Sequence, residues 1–139
     1  MDQPQAAGRR IVGLALVLLG GVAFLAGAAA HALAGWPSFA TTLTARGIDR
    51  ETYAGLAVGW NFGTSAMATY GLLVLGAWNR LRRGGDGPAQ LITAIGASYF
   101  LFGAAALGYR FPQLHFAAFM VQGTLLVAGA WLARPDSTA

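Results

Sequence analysis

The sequence predicts an all-α fold: a polytopic membrane four-helix bundle, antiparallel and up-down, with both termini cytoplasmic. Three observations carry this. Four apolar stretches, at about 11–34, 54–78, 89–109 and 113–133, each supply the roughly 20 residues that a helix needs to cross a hydrocarbon core of about 30 Å. Hydrophobic residues make up 56% of the chain and charged residues only 10%, too few to cover a water-soluble domain of 139 residues. The runs show neither the alternation nor the turn spacing of barrel strands, which leaves helices as the structure that satisfies every backbone group inside lipid. The length allows one domain, 1–139.

The first span, 11–34, follows Arg9 and Arg10 and is too long for the core of a signal peptide, so it reads as an uncleaved helix. Gly13, Gly20 and Gly27 recur every seven residues on nearly one face, with Phe24 and His31 on the same stripe. Such a stripe reads as a packing seam, because helices in lipid associate through close backbone approach, dispersion and hydrogen bonds. An outer loop is expected over 35–53. In it Trp36 and Tyr53 sit at headgroup depth, Pro37 ends the first helix or opens a short interfacial one, and Asp49 caps the next span.

The second span, 54–78, carries Gly55, Gly59 and Gly63 at four-residue spacing, a double GxxxG that serves packing within the chain or against a second copy. Asn61, costly in lipid, is expected to turn toward the interior. The inner loop, 79–88, is basic and glycine-rich, and Pro88 suits the first turn of the third helix. The short outer connection Tyr109–Pro112 makes the last two spans antiparallel neighbours. The fourth span aligns His115, Ala118, Gln122 and Gly129, and the tail Pro135–Ala139 reads as disordered.

Charge orients the chain and excludes several functions. All nine basic residues are arginine, six at the expected inner ends and three (Arg46, Arg50, Arg110) outside, which places both termini in the cytoplasm. They form no stripe interleaved with aromatics, so a nucleic-acid partner is not expected. The chain lacks cysteine, and its five acidic residues, Asp2, Asp49, Glu51, Asp86 and Asp136, all lie at ends or in loops. No catalytic residue and no metal site is therefore assigned.

The polar residues that converge in depth toward the outer leaflet are His31, Asn61, Tyr99 and His115, the candidate ligand-binding set. Histidine there can hold a polar ligand, shuttle a proton or ligate haem iron. Two readings follow. In the first, the protein is a non-enzymatic bundle acting as subunit, scaffold or assembly factor, with the lipid bilayer and another membrane protein or a homo-oligomer as partners and no cofactor. In the second, it binds a small molecule, quinone, lipid or haem between its helices. The layout, with His31 ending helix one, a long outer loop, Gly55-Leu-Ala-Val-Gly59-Trp-Asn-Phe-Gly63 in helix two and a basic inner loop, resembles the small bacterial four-helix membrane proteins of the DoxX-like group. That resemblance implies a bacterial inner-membrane protein and carries over no site residue.

Overall fold

The computed structural model describes residues 3–85 and 87–134; the tail expected to be disordered lies outside them, as do Asp2, Asp86 and Asp136. The described residues are helical almost throughout and include no strand. Helix α1 covers Gln3–Ala30, a π-helical turn covers His31–Gly35, and α2 covers Trp36–Ala45. Helix α3 covers Arg50–Leu81, α4 covers Pro88–Tyr109, and α5 covers Ala117–Leu132 after a 3-10 turn at Leu114–Phe116.

Ala30, Gly35 and Trp36 keep right-handed helical angles, so α1, the π turn and α2 form one continuous helix and the molecule has four long helices. The expected outer loop at 35–53 is thereby corrected to the short turn Arg46–Asp49. Two local features explain the difference. The Trp36 N–H bonds to the His31 carbonyl five residues back, and this wider turn accommodates Pro37, which has no N–H and whose ring crowds an ordinary helical turn. The hydroxyls of Thr41, Thr42 and Thr44 donate to the carbonyls of Pro37, Ser38 and Ala40 at 2.9–3.0 Å, so all three threonines of α2 are satisfied within the helix.

The turn itself is set by Gly47. Its φ of 65° belongs to the left-handed region, and Ile48 N–H reaches back to Leu43 O at 3.2 Å, the six-residue closure that ends a helix on glycine. Gly84, with φ 94°, closes α3 in the same way through Gly85 N–H to Arg80 O. Asp49 opens α3 as expected: its Oδ1 accepts the N–H groups of Glu51 and Thr52, each at 3.0 Å. Hydrogen bonding from Thr52, then from Glu51, holds the Asp49 carboxyl below the usual carboxylate range. The cap thus contributes in full above the ordinary carboxylate pKa and is lost as pH falls through the lowered folded value. Asp49→Ala is expected to speed amide exchange at Glu51 and Thr52 several-fold at neutral pH. Acidification should reproduce that loss in the parent chain, as read by hydrogen exchange.

Among the described residues three helices are long and apolar enough to cross a membrane: the continuous α1–α2 helix, α4, and Leu114–Leu132, which contains α5. Helix α3 has the length, at 32 residues, but is not among them. Asn61, Thr64, Ser65, Thr69 and Tyr70 interrupt its apolar run, so three of the four expected spans are matched by helices apolar enough to cross.

Small residues decide how the helices meet. A Cβ built on Gly13 would strike the backbone of α5 at Gly129 O (2.7 Å) and Ala133 N, and one on Gly20 would overlap Leu126. Gly27 faces only the flexible end of Met67. Helices α4 and α5 touch through Gly96 and Gly123, each of whose added Cβ would collide with the other's carbonyl oxygen. The interior is filled by Val17 and Phe24 of α1, Val74 and Leu81 of α3, Ile92 and Tyr99 of α4, and Leu126 of α5. Many large apolar side chains remain on the outside, among them Ile11, Val58, Phe62 and Leu101, more than a surface facing water ordinarily carries.

Polar links complete the packing. Gln122 Nε2 donates to the Gly20 carbonyl at 3.1 Å, tying α5 to α1. Arg10 donates through Nη2 to Leu81 O at 3.1 Å and Arg82 O at 3.4 Å, placing a cation on the carbonyl end of α3. The start of α1, the end of α3 and the end of α5 therefore share one end of the molecule. That end holds Arg9, Arg10, Arg80, Arg82, Arg83 and Arg134.

Candidate functional site

The site begins at the π turn. His31 opens it, and the His31 carbonyl accepts two hydrogens, the Trp36 N–H and the Trp60 Nε1–H at 2.9 Å. The second bond pins the indole of α3 to the bend of the first helix. The imidazole of His31 then stacks on Trp60, ring centroids 4.0 Å apart and planes within 6° of parallel. Phe39 of α2 also stacks on Trp60, at 5.0 Å. Trp36 stands edge-on to Phe39 and Tyr53 and tilted to Trp60, so five rings from the π turn, α2 and α3 form one cluster. Gly35 is small for a reason, since a Cβ there would come within 2.8 Å of the Trp60 ring. Gly63 lies beneath the imidazole, its added Cβ 3.6 Å from His31 Nε2.

The other residues of the expected set stand apart from this cluster. Asn61 is exposed on α3 rather than turned inward, and its Nδ2 donates to its own helix at Ala57 O, 2.8 Å away. Tyr99 is buried in a second aromatic group, 4.5 Å from Phe24 and 5.1 Å from Phe119 between ring centroids, with its hydroxyl unbonded. His115 is exposed in the 3-10 turn, where its ring meets only the neighbouring Phe116 at 4.1 Å. No contact among the described residues joins His31 to His115. Nor does any group of three or more His, Asp or Glu side chains among them gather at metal-binding distance. Gly55 and Gly59, expected as packing residues, have no described atom within 4 Å of an added Cβ, so no other described helix closes on α3 at these two positions.

The sequence pattern places Trp36 and Tyr53 at headgroup depth and does not show that they assemble with Trp60 and Phe39. The signal was present in Trp36 and Phe39 three residues apart, a spacing that shares one helix face once α2 is helical. Chemically, the cluster offers one imidazole, stacked on Trp60 and hydrogen-bonded to its backbone, and a set of apolar ring faces.

Two grooves mark the membrane-facing surface. One, of about 580 Å³, runs between α1 and α5 over Leu19, Gly20, Ala23, Ala118, Val121, Gln122 and Leu125. The other, of about 500 Å³, runs between α4 and α5 over Ala97, Phe100, Leu101, Gly123, Thr124, Val127, Ala128 and Trp131. Both have almost wholly apolar walls, open to the outside, and neither includes a residue of the His31 cluster. No protein-family model matches the chain, and no curated protein or solved structure is similar to it at a level that would place it in a family.

Proposed function

We propose that the chain is a non-enzymatic integral membrane protein acting as a subunit, scaffold or assembly factor in a bacterial inner membrane. Its four helices run antiparallel, up and down, with α3 crossing beside the three more apolar helices and both termini in the cytoplasm. The gathering of six arginines at one end supports that orientation. The likeness in layout to the DoxX-like group agrees with the setting.

The observation that carries the reading is the uncovered face of α3. Asn61, Ser65 and Thr69 form an exposed row at four-residue spacing, with Gly76, which meets nothing within 4 Å, further along the same side; Gly55 and Gly59 are uncovered too, but on a different side of the helix. An exposed amide facing lipid is costly, and a small-residue surface allows another helix to approach closely enough to bond it. The contacting helix belongs to another membrane protein or to a second copy of the chain. The absence of cysteine makes the test clean. Ser65→Cys and Thr69→Cys are expected to give cross-linked species in native membranes with a bifunctional maleimide, whereas Val121→Cys on α5 is not. Failure of every α3 position to cross-link would overturn the reading. So would a Soret band in the purified protein that His31→Ala removes, which would assign haem ligation instead.

A further inference from the structure

We infer that α3 pairs with the α3 of a second copy of the chain, side by side and parallel, about a two-fold axis along the membrane normal. The inference rests on the reading of α3 as a membrane-crossing helix with an uncovered face, and it names what covers that face. Val58, Phe62, Ser65, Thr69, Leu72 and Gly76 are all exposed. They follow one another at intervals of four, three, four, three and four residues, so at 3.6 residues per turn they share about a quarter of the helix circumference. A second helix lying alongside in a left-handed crossing meets residues in that alternation. At 1.5 Å per residue the stripe rises about 27 Å, close to the roughly 30 Å of a hydrocarbon core.

Two hydroxyls on the stripe ask for a partner. Thr64, Thr93, Ser98 and Thr124 each donate to a carbonyl of their own helix, at 2.8–3.2 Å. That return bond satisfies a hydroxyl that has only hydrocarbon around it. The hydroxyls of Ser65 and Thr69 make no hydrogen bond to any described residue. Thr64 is next to Ser65 in the chain and shares its depth, so the difference lies in which side of α3 the residue occupies. An acyl chain offers these two hydroxyls neither donor nor acceptor.

A second copy of the chain supplies both. Copies inserted in one orientation form a closed pair only about an axis along the membrane normal, so α3 lies parallel to its counterpart and each stripe residue meets its own kind at its own depth. The stripe tolerates itself. Helix α3 carries no charged residue between Glu51 and Arg80, so pairing sets no like charges together within lipid, and those two stand at its ends, where water and salt screen them. A hydroxyl both donates and accepts, which makes each serine and threonine a fit partner for its counterpart. Val58, Phe62 and Leu72, which are 71%, 75% and 64% exposed, add dispersion contacts, and Gly76 lets the helices close near the arginine-rich end.

The test uses single-cysteine variants in native membranes that hold two differently tagged copies of the full chain. Disulfide formation needs Cβ atoms about 4 Å apart, so a residue links to its own counterpart only close to the two-fold axis. On oxidation with copper phenanthroline, Ser65→Cys and Thr69→Cys are expected to give a product of twice the chain's mass that carries both tags. Gly59→Cys, about a quarter turn round α3 from the stripe, and Leu101→Cys on α4 should give only traces. An interhelical hydrogen bond in a membrane is worth about threefold in pairing, so Ser65→Ala/Thr69→Ala should weaken self-association on the order of tenfold, read by energy transfer between donor- and acceptor-tagged copies. Gly76→Ile, whose side chain meets open space within its own chain, should weaken it without disturbing the packing of the single copy. Equal disulfide yields on and off the stripe would overturn the inference, as would self-association unchanged in both the hydroxyl-free and the Gly76 variants. Bifunctional cross-links from Ser65→Cys and Thr69→Cys to a different protein, with no self-linked product, would overturn the second copy while keeping α3 as the docking face. Absence of either product would overturn both readings.

Discussion

Gly123→Ala is expected to destabilise the folded chain by about 3 kcal/mol, the upper part of the usual range for overpacking a close contact. The added methyl carbon would lie 2.5 Å from Gly96 O and 2.7 Å from Phe100 N, both backbone atoms of α4. A side chain can rotate away from an intruding methyl, but a helix backbone can only be pushed back as a whole. Doing so separates α4 from α5 along their shared length and loses dispersion contacts far from the substitution. Gly13→Ala should behave alike, because its methyl meets the backbone of α5 at Gly129 and Ala133. Gly59→Ala provides the contrast: its methyl meets nothing within the chain, and alanine favours helix by up to about 1 kcal/mol over glycine. Thermal unfolding by circular dichroism in one detergent ranks the three. A Gly123→Ala protein as stable as its parent would show that the α4–α5 contact is looser than described.

Phe24→Ala is expected to cost about 3 kcal/mol, at the low end for removing a buried phenyl ring. Phe24 is fully buried on α1 and packs on Tyr70 of α3 and Tyr99 of α4, with ring centroids 5.9 and 4.5 Å away. In water the loss would include the transfer of the ring from solvent. Here the unfolded reference is a helix in lipid, where that transfer counts for little, so the penalty is mainly the cavity and the broken ring contacts. Tyr99→Phe separates packing from polarity at the same spot. The Tyr99 hydroxyl is buried without a partner, so its removal deletes an unmet polar group and keeps the ring, and stability should be unchanged or higher. Steric-trap or denaturant titration of the two variants in bicelles checks both. A loss for Tyr99→Phe as large as that for Phe24→Ala would mean that the hydroxyl is bonded.

Much of this architecture was legible from local pattern. The Gly13–Gly20–Gly27 repeat declared a seam because a seven-residue spacing returns to one side of a helix whatever lies opposite, and Asp49 declared a cap because its carboxylate needs only the next three residues. The loop at 35–53 was misread for an equally local reason. Pro37 and a run of threonines argue against a helix by propensity, but the π turn accommodates the proline and backbone carbonyls absorb the hydroxyls. The site was legible only in part. His31, singled out as a polar group of the first helix, stands in the aromatic cluster around Trp60, whereas Asn61, Tyr99 and His115 shared its expected depth without sharing its surroundings.

What the sequence determined by itself is the helical state, the apolar spans and the placing of six arginines at one set of helix ends, since each depends on composition and spacing within about twenty residues. Only the tertiary structure decided which glycines touch, that Trp60 is held between His31 and Phe39, that Gly55 and Gly59 stay uncovered, and that Arg9 reaches Trp131 at the mouth of a groove. Depth in a membrane follows from position along a helix, which the chain spells out. Which side of a helix meets which neighbour depends on rotations set by all the contacts at once, and no single segment contains that information.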